Sequence, residues 1–100
     1  MGFIGEAAPL DKVSEAITGS HMRMIFDLLA KAPGRPVLVE RIEEHLWKDD
    51  PDGGPLTSRG SVYVFVHRLN KQIERFGWHV ASRGRGRAGG YRLIPREVAA

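Results

Sequence analysis

The chain has no cysteine in its 100 residues, which excludes disulfide bridges and thiolate metal sites. It also lacks an apolar run approaching the ~18 residues of a membrane span. Its N-terminus has neither the charged start nor the apolar centre of a signal peptide. We therefore expect a cytoplasmic protein without a membrane partner, held together by packing alone.

Acidic residues are scarce in the second half of the chain. Residues 58–100 hold two Asp or Glu against nine Lys or Arg, giving +7, whereas residues 1–57 hold ten against six, giving −4. A field with this direction attracts polyanions to one end of the molecule, and nucleic acid is the commonest polyanion. An anionic membrane is the competing partner, but the basic residues do not lie on a lone amphipathic helix with exposed aromatics.

Composition predicts one small ordered domain, since 42% of residues are hydrophobic and 27% are charged. Residues 1–17 mix Gly, Ala and Pro and are predicted to form a partly ordered N-terminal arm. The domain then covers residues 18–95, and residues 96–100 are a tail without a strong signal.

Two helices precede the basic half. The first is predicted at 20–32, with Thr18, Gly19 and Ser20 offering an N-terminal cap. After a Pro-Gly turn, residues 37–39 form a short extended piece or begin a second helix at 39–47. That helix is assigned to the scaffold because its outer face would repel phosphate, bearing Glu40, Glu43 and Glu44.

A third helix is predicted at 58–76, because one apolar stripe recurs at steps of three and four. Thr57 or Ser58 can cap it, and Gly77 ends it. The stripe faces the core and comprises Val62, Phe65, Val66, Leu69, Ile73 and Phe76. The opposite, mostly basic side carries Arg59, Tyr63, His67, Lys71 and Glu74, with Arg68 and Arg75 at its margins.

After Gly77 the period changes from 3.6 to two, which predicts a two-stranded hairpin. Because an isolated hairpin is marginal in water, its apolar side should pack on the helices through Trp78, Val80, Tyr91 and Leu93. Gly84, Gly86 and Gly89 match a dinucleotide-binding fingerprint, which we reject because a strand and not a helix follows them. The glycines instead suit a flexible hairpin tip.

The arginines at this tip are Arg83, Arg85 and Arg87, and Arg92 lies on the returning strand. A minor groove about 6 Å wide admits slender arginine side chains, especially where A·T tracts narrow it. Two alternatives remain: the same residues could grip the phosphates of a single strand, or they could form a solvated loop that keeps the protein soluble.

The third helix suits a major groove, which is about 12 Å wide. Arg68 is expected to contact guanine, and His67 and Asn70 are expected to reach other base edges. Tyr63, on the same outer face, is also expected to contact DNA. Phosphate contacts are expected from the N-terminal turn at Thr57 and Ser58 and from Arg59, Lys71 and Arg75. The alternative is an amphipathic helix with a solvated basic face, but the adjoining basic hairpin favours DNA.

No catalytic constellation is present. Histidines at 21, 45, 67 and 79 stand at wide spacings without cysteine, and serines at 58, 61 and 82 lack a nucleophile motif. We expect no enzyme activity, no cofactor and no metal.

Three helices followed by a basic β-hairpin describe a winged helix-turn-helix. Residues 17–95 resemble the DNA-binding domain of OmpR/PhoB-type response regulators. The resemblance rests on Ile17-Thr18-Gly19-Ser20 with Met22–Leu29, on Pro33–Val37 with Ile42 and His45-Leu46-Trp47, on Val62–Leu69, and on Gly90-Tyr91-Arg92-Leu93.

The resemblance implies that Arg68 contacts bases or nearby backbone, and that Arg83, Arg85 and Arg87 enter the minor groove. Tyr63 and Phe65 stand where the family usually has Asp and His, and Asn70 stands where it has Arg. The hairpin is also longer than the family's. These departures leave the target sequence open, and 100 residues leave no room for a receiver domain, so a standalone domain without phosphorylation control is expected.

The sequence thus predicts an α+β, mainly helical, winged helix-turn-helix. Its expected function is sequence-specific regulation of transcription on double-stranded DNA in the bacterial cytoplasm, at the nucleoid. A homodimer or tandem binding on DNA is left open. Two alternatives are a nonspecific architectural DNA-binding protein and an interaction module that contacts RNA polymerase through its acidic half.

Overall fold

The fold is α+β, with four helices and a small three-stranded antiparallel sheet among the residues that the structure, a computed structural model, describes. Those residues are 8–49, 51, 54, 58–83 and 89–96, without the side chains of Ser58, Arg59 and Arg83. The helices are α1 (Leu10–Ala16), α2 (Ser20–Ala30), α3 (Val39–Trp47) and α4 (Ser58–Ile73), and a 3₁₀ turn follows at Glu74–Phe76. The strands are β1 (Val37–Leu38), β2 (Trp78–Arg83) and β3 (Gly90–Pro95).

Helix α1 lies within the predicted partly ordered arm at 1–17, and the described part of that arm, from Ala8 onward, contributes to the core. Val13 is fully buried, and Ala8 and Ile17 are almost so. Arg23 of α2 holds the end of this helix by donating to the carbonyls of Ser14, Glu15 and Ile17 at 3.0, 3.3 and 3.1 Å. The expected three helices are therefore four.

Helix α2 ends at Ala30, two residues earlier than predicted, and it begins without the expected side-chain cap. Its N-cap residue is Gly19, with φ of 100°. Thr18 is occupied elsewhere: its amide and hydroxyl donate to Gln72 Oε1 at 2.8 and 3.2 Å, and Gln72 Nε2 donates back to the Thr18 carbonyl at 2.9 Å. This exchange joins the start of α2 to α4.

The second helix and the hairpin are confirmed. Helix α3 has the predicted bounds, and β2 pairs with β3 from Trp78 opposite Pro95 to Arg83 opposite Gly90. Gly77 ends the 3₁₀ turn that follows α4, and its backbone is in the left-handed conformation, at φ of 85°. As expected, the hairpin packs on the helices, with Val80 and Leu93 buried in the common core.

Strand β1 is the feature that the hairpin prediction lacked. Val37 and Leu38 pair with Tyr91 and Gly90, so β3 is the central strand and the order is β1-β3-β2. Gly90 permits this pairing, because a Cβ there would lie 2.7 Å from the Val37 carbonyl oxygen. Strand β1 thus anchors the hairpin to the segment between α2 and α3.

Candidate nucleic-acid interface

Helix α4 is buried along one side and exposed along the other. Val62, Leu69 and Ile73 are fully buried, and Phe65 stacks on His21 with ring centroids 5.2 Å apart. At about 100° per residue the exposed side chains fall within an arc of roughly 140°. They are Gly60, Tyr63, Val64, His67, Arg68 and Lys71.

The exposed arc carries no negative charge, since α4 contains neither Asp nor Glu. Tyr63 is 69% exposed, and His67, Arg68 and Lys71 are exposed beside it. These four predicted contact residues are brought together on one face. The guanidinium carbon of Arg75, in the 3₁₀ turn, lies 4.7 Å from the centroid of the Phe76 ring. This contact restricts the Arg75 side chain.

For three other predicted contact residues the structure describes the backbone but not the side chain. Ser58 and Arg59 lie in the first turn of α4, and Arg83 ends β2. Thr57, Arg85 and Arg87 lie outside the described residues.

Asn70 does not join the exposed arc, because its carboxamide is bonded to the backbone of β2. Its side-chain nitrogen donates to the Val80 carbonyl at 3.0 Å, and its side-chain oxygen accepts from the Val80 amide at 2.7 Å. A carboxamide can satisfy an N–H and a C=O of an edge strand at once. Asn70 therefore fastens the hairpin to α4.

Arg92 lies on the returning strand of the hairpin, β3, as the sequence predicts. Leu93 is buried in the core, and neighbouring residues of a strand point to opposite faces, so Arg92 lies on the sheet face away from the core. It is half-buried, and its Nε is enclosed without a hydrogen-bond partner. Arg92 therefore lies on the face of the sheet opposite that of Tyr91.

A cleft of about 230 Å³ separates α4 from the edge strand β2. Ser82 and Tyr91 are cross-strand partners and both line it. Neither residue was predicted to bind DNA, although the alternation along the two strands puts both on one face. The helix contributes Tyr63, Val66, His67 and Asn70, and the sheet contributes His79, Val80, Ser82 and Tyr91.

The surroundings of Tyr91 raise the pKa of its hydroxyl. Burial raises its pKa above the ordinary 10.0, and the nearby Tyr63 raises it further. Tyr91 thus remains a hydrogen-bond donor throughout the neutral range.

The residues that the structure describes form neither a metal site nor a membrane-spanning helix. No group of three or more His, Asp or Glu side chains there is placed to hold a metal ion. Within the same residues, no helix combines the length and the apolar character that crossing a membrane requires.

Comparisons of the chain with protein-family models, with curated proteins and with solved structures found no match. The functional argument therefore rests on the geometry of α4 and the hairpin.

Proposed function

We propose that the chain is a winged helix-turn-helix that binds double-stranded DNA and regulates transcription. In this proposal α4 occupies the major groove and the tip of the β2–β3 hairpin occupies the adjacent minor groove. The observation that carries it is the acid-free exposed arc of α4, fastened beside an arginine-rich hairpin by both hydrogen bonds of Asn70.

The topology supports this assignment. Helices α3 and α4 follow one another and pack together, and the hairpin follows α4 directly. Strand β1 and Asn70 hold the hairpin at two places, so its position relative to α4 is fixed. Because β2 and β3 are held against α4, these elements together suit adjacent grooves better than a solvated basic helix alone would.

The proposed contacts divide by chemistry. Arg68 is the candidate for base contact, because arginine can bond guanine O6 and N7 together. Arg59, Lys71 and Arg75 are candidates for phosphate contact, which positions the protein without specifying sequence. Arg85 and Arg87 are proposed for the minor groove, and Arg83 for its edge.

Selection from a random duplex library tests the sequence-specific part of the proposal. At about 150 mM salt the chain should prefer a selected duplex over random DNA by about 10³-fold or more. Saturable binding with a preference below about tenfold would favour an architectural protein. No saturable binding would favour a protein-interaction module.

Arg68→Ala should relax that preference, costing about 1–3 kcal/mol on the selected site and much less on random DNA. Arg41→Ala is the matched control, since it removes the same charge from α3. Competition titrations of both variants measure the difference. Equal losses on selected and random duplexes would contradict a base contact by Arg68.

A further inference from the structure

The cleft between α4 and β2 lies where the proposed arrangement would bring one strand of DNA. With a helix in one groove and the hairpin in the next, the sugar-phosphate strand that separates the grooves must pass between them. Tyr63 and His67 are exposed on the helix side, and Ser82 is exposed on the strand side. The cleft thus opens on the same side as the exposed arc.

The cleft offers neutral hydrogen-bond donors. Among the described residues that line it are three hydroxyl side chains, those of Tyr63, Ser82 and Tyr91, and none of these described residues is a carboxylate. Its floor is apolar, since Val66 and Val80 are buried there. This lining offers hydroxyl hydrogen bonds to an anion, beside the imidazoles of His67 and His79.

The backbone of β2 adds a donor. The amide and carbonyl of Val80 both bond Asn70, so they point away from β3. Outward-pointing groups recur at every second residue of an antiparallel edge strand. The amide of Ser82 is therefore directed to the same side of β2, next to its own hydroxyl.

Resting on the proposed function, we propose that this cleft seats a phosphate of the DNA strand between the two grooves, held by Tyr63, Ser82 and Tyr91. Phosphate oxygens accept several hydrogen bonds, and hydroxyls and backbone amides are common donors to them. The ligand is a phosphodiester of duplex DNA. It would reach the cleft because α4 lies in one groove and the hairpin in the next, with the DNA strand between them.

Neutral donors differ from lysine and arginine in how they affect the salt dependence of DNA affinity. Ionic contacts release counterions and steepen the dependence of affinity on salt, by about 0.9 of a logarithmic unit for each phosphate neutralised. A hydroxyl that bonds phosphate adds affinity while leaving that slope almost unchanged.

The test compares Tyr91→Phe with Lys71→Ala on a duplex selected by the intact chain, across a series of salt concentrations. Tyr91→Phe should raise Kd by about tenfold at every salt concentration, with the slope unchanged. Lys71→Ala should lower the steepness by about one. Tyr63→Phe and Ser82→Ala should resemble Tyr91→Phe, and thermal unfolding should show that each variant remains folded.

A second measurement locates the phosphate. Duplexes that carry one neutral methylphosphonate at successive positions should reveal one position where this change and Tyr91→Phe are not additive. Additive effects at every position, or hydroxyl variants that bind like the wild type, would overturn the phosphate seat while leaving DNA binding intact. Failure of the wild-type chain to bind any duplex would overturn the proposed function, and the seat with it.

Discussion

At the scale of single residues, Asn70 shows how a polar side chain on a basic helix can serve the fold. The sequence placed it among base-contacting residues, since polarity and helical position do not reveal which neighbour a carboxamide will meet. The partner, Val80, becomes its neighbour only when β2 packs against α4. In contrast, Tyr63, His67, Arg68 and Lys71 could be placed on an exposed face from helical spacing alone.

Asn70→Ala should destabilise the protein by about 1–3 kcal/mol, because it leaves the amide and carbonyl of a part-buried edge strand without their partner. Urea denaturation measures this loss. Lys71→Ala, the exposed neighbour, should change stability by no more than about 0.5 kcal/mol. Equal stability of the two variants would contradict the fastening role of Asn70.

His45 predicts a pH dependence of stability. Burial lowers its pKa below the ordinary 6.5, and Lys48, Lys31 and Arg41 lower it further, against an opposing effect of Asp27. Below about pH 6.5 His45 is protonated in the unfolded chain but remains largely neutral in the folded one. Stability therefore decreases as the pH is lowered, until the pH falls below the lowered pKa of the folded state.

His45→Gln should flatten the pH profile of unfolding free energy below pH 6.5 while changing it little at pH 8. Denaturation at a series of pH values measures both profiles. Profiles that remain parallel from pH 8 to pH 5 would show that His45 is not the group responsible.

At the scale of elements, long periodic segments were predictable, whereas for the short ones the sequence offered only an extended piece or helix start at 37–39 and a partly ordered arm over 1–17. Helix α4 and the hairpin each carry an apolar pattern long enough to show its period. Helix α1 has only seven residues, and only Val13 within it is buried. Strand β1 has two residues and owes its existence to pairing with β3, which is a tertiary contact that local sequence does not encode.

Arg23→Ala should loosen α1, because it removes three hydrogen bonds to carbonyls at and beyond the end of that helix. We expect a loss of about 1–2 kcal/mol and faster amide exchange in Leu10–Ala16. Arg41→Ala should have little effect, since its only ion pair described here, at 3.9 Å to Glu44, joins side chains that are 68% and 72% exposed. Exchange in α1 that is as slow as in the control would contradict the role of Arg23.

At the scale of the whole molecule, the acidic and basic halves of the sequence correspond to different structural elements. The acidic helix α3 belongs to the half with charge −4, and α4 with the hairpin belongs to the half with charge +7. This polarity was visible in the sequence. The cleft between α4 and β2 was not, because it depends on how the hairpin is held against the helix.

The most direct test of DNA binding is the salt dependence of affinity for the intact chain, measured by fluorescence anisotropy on a short duplex. If six basic side chains meet phosphates, a plot of log K against log salt should have a slope of about −5. A slope shallower than about −1, or no saturable binding at about 50 mM salt, would contradict the account.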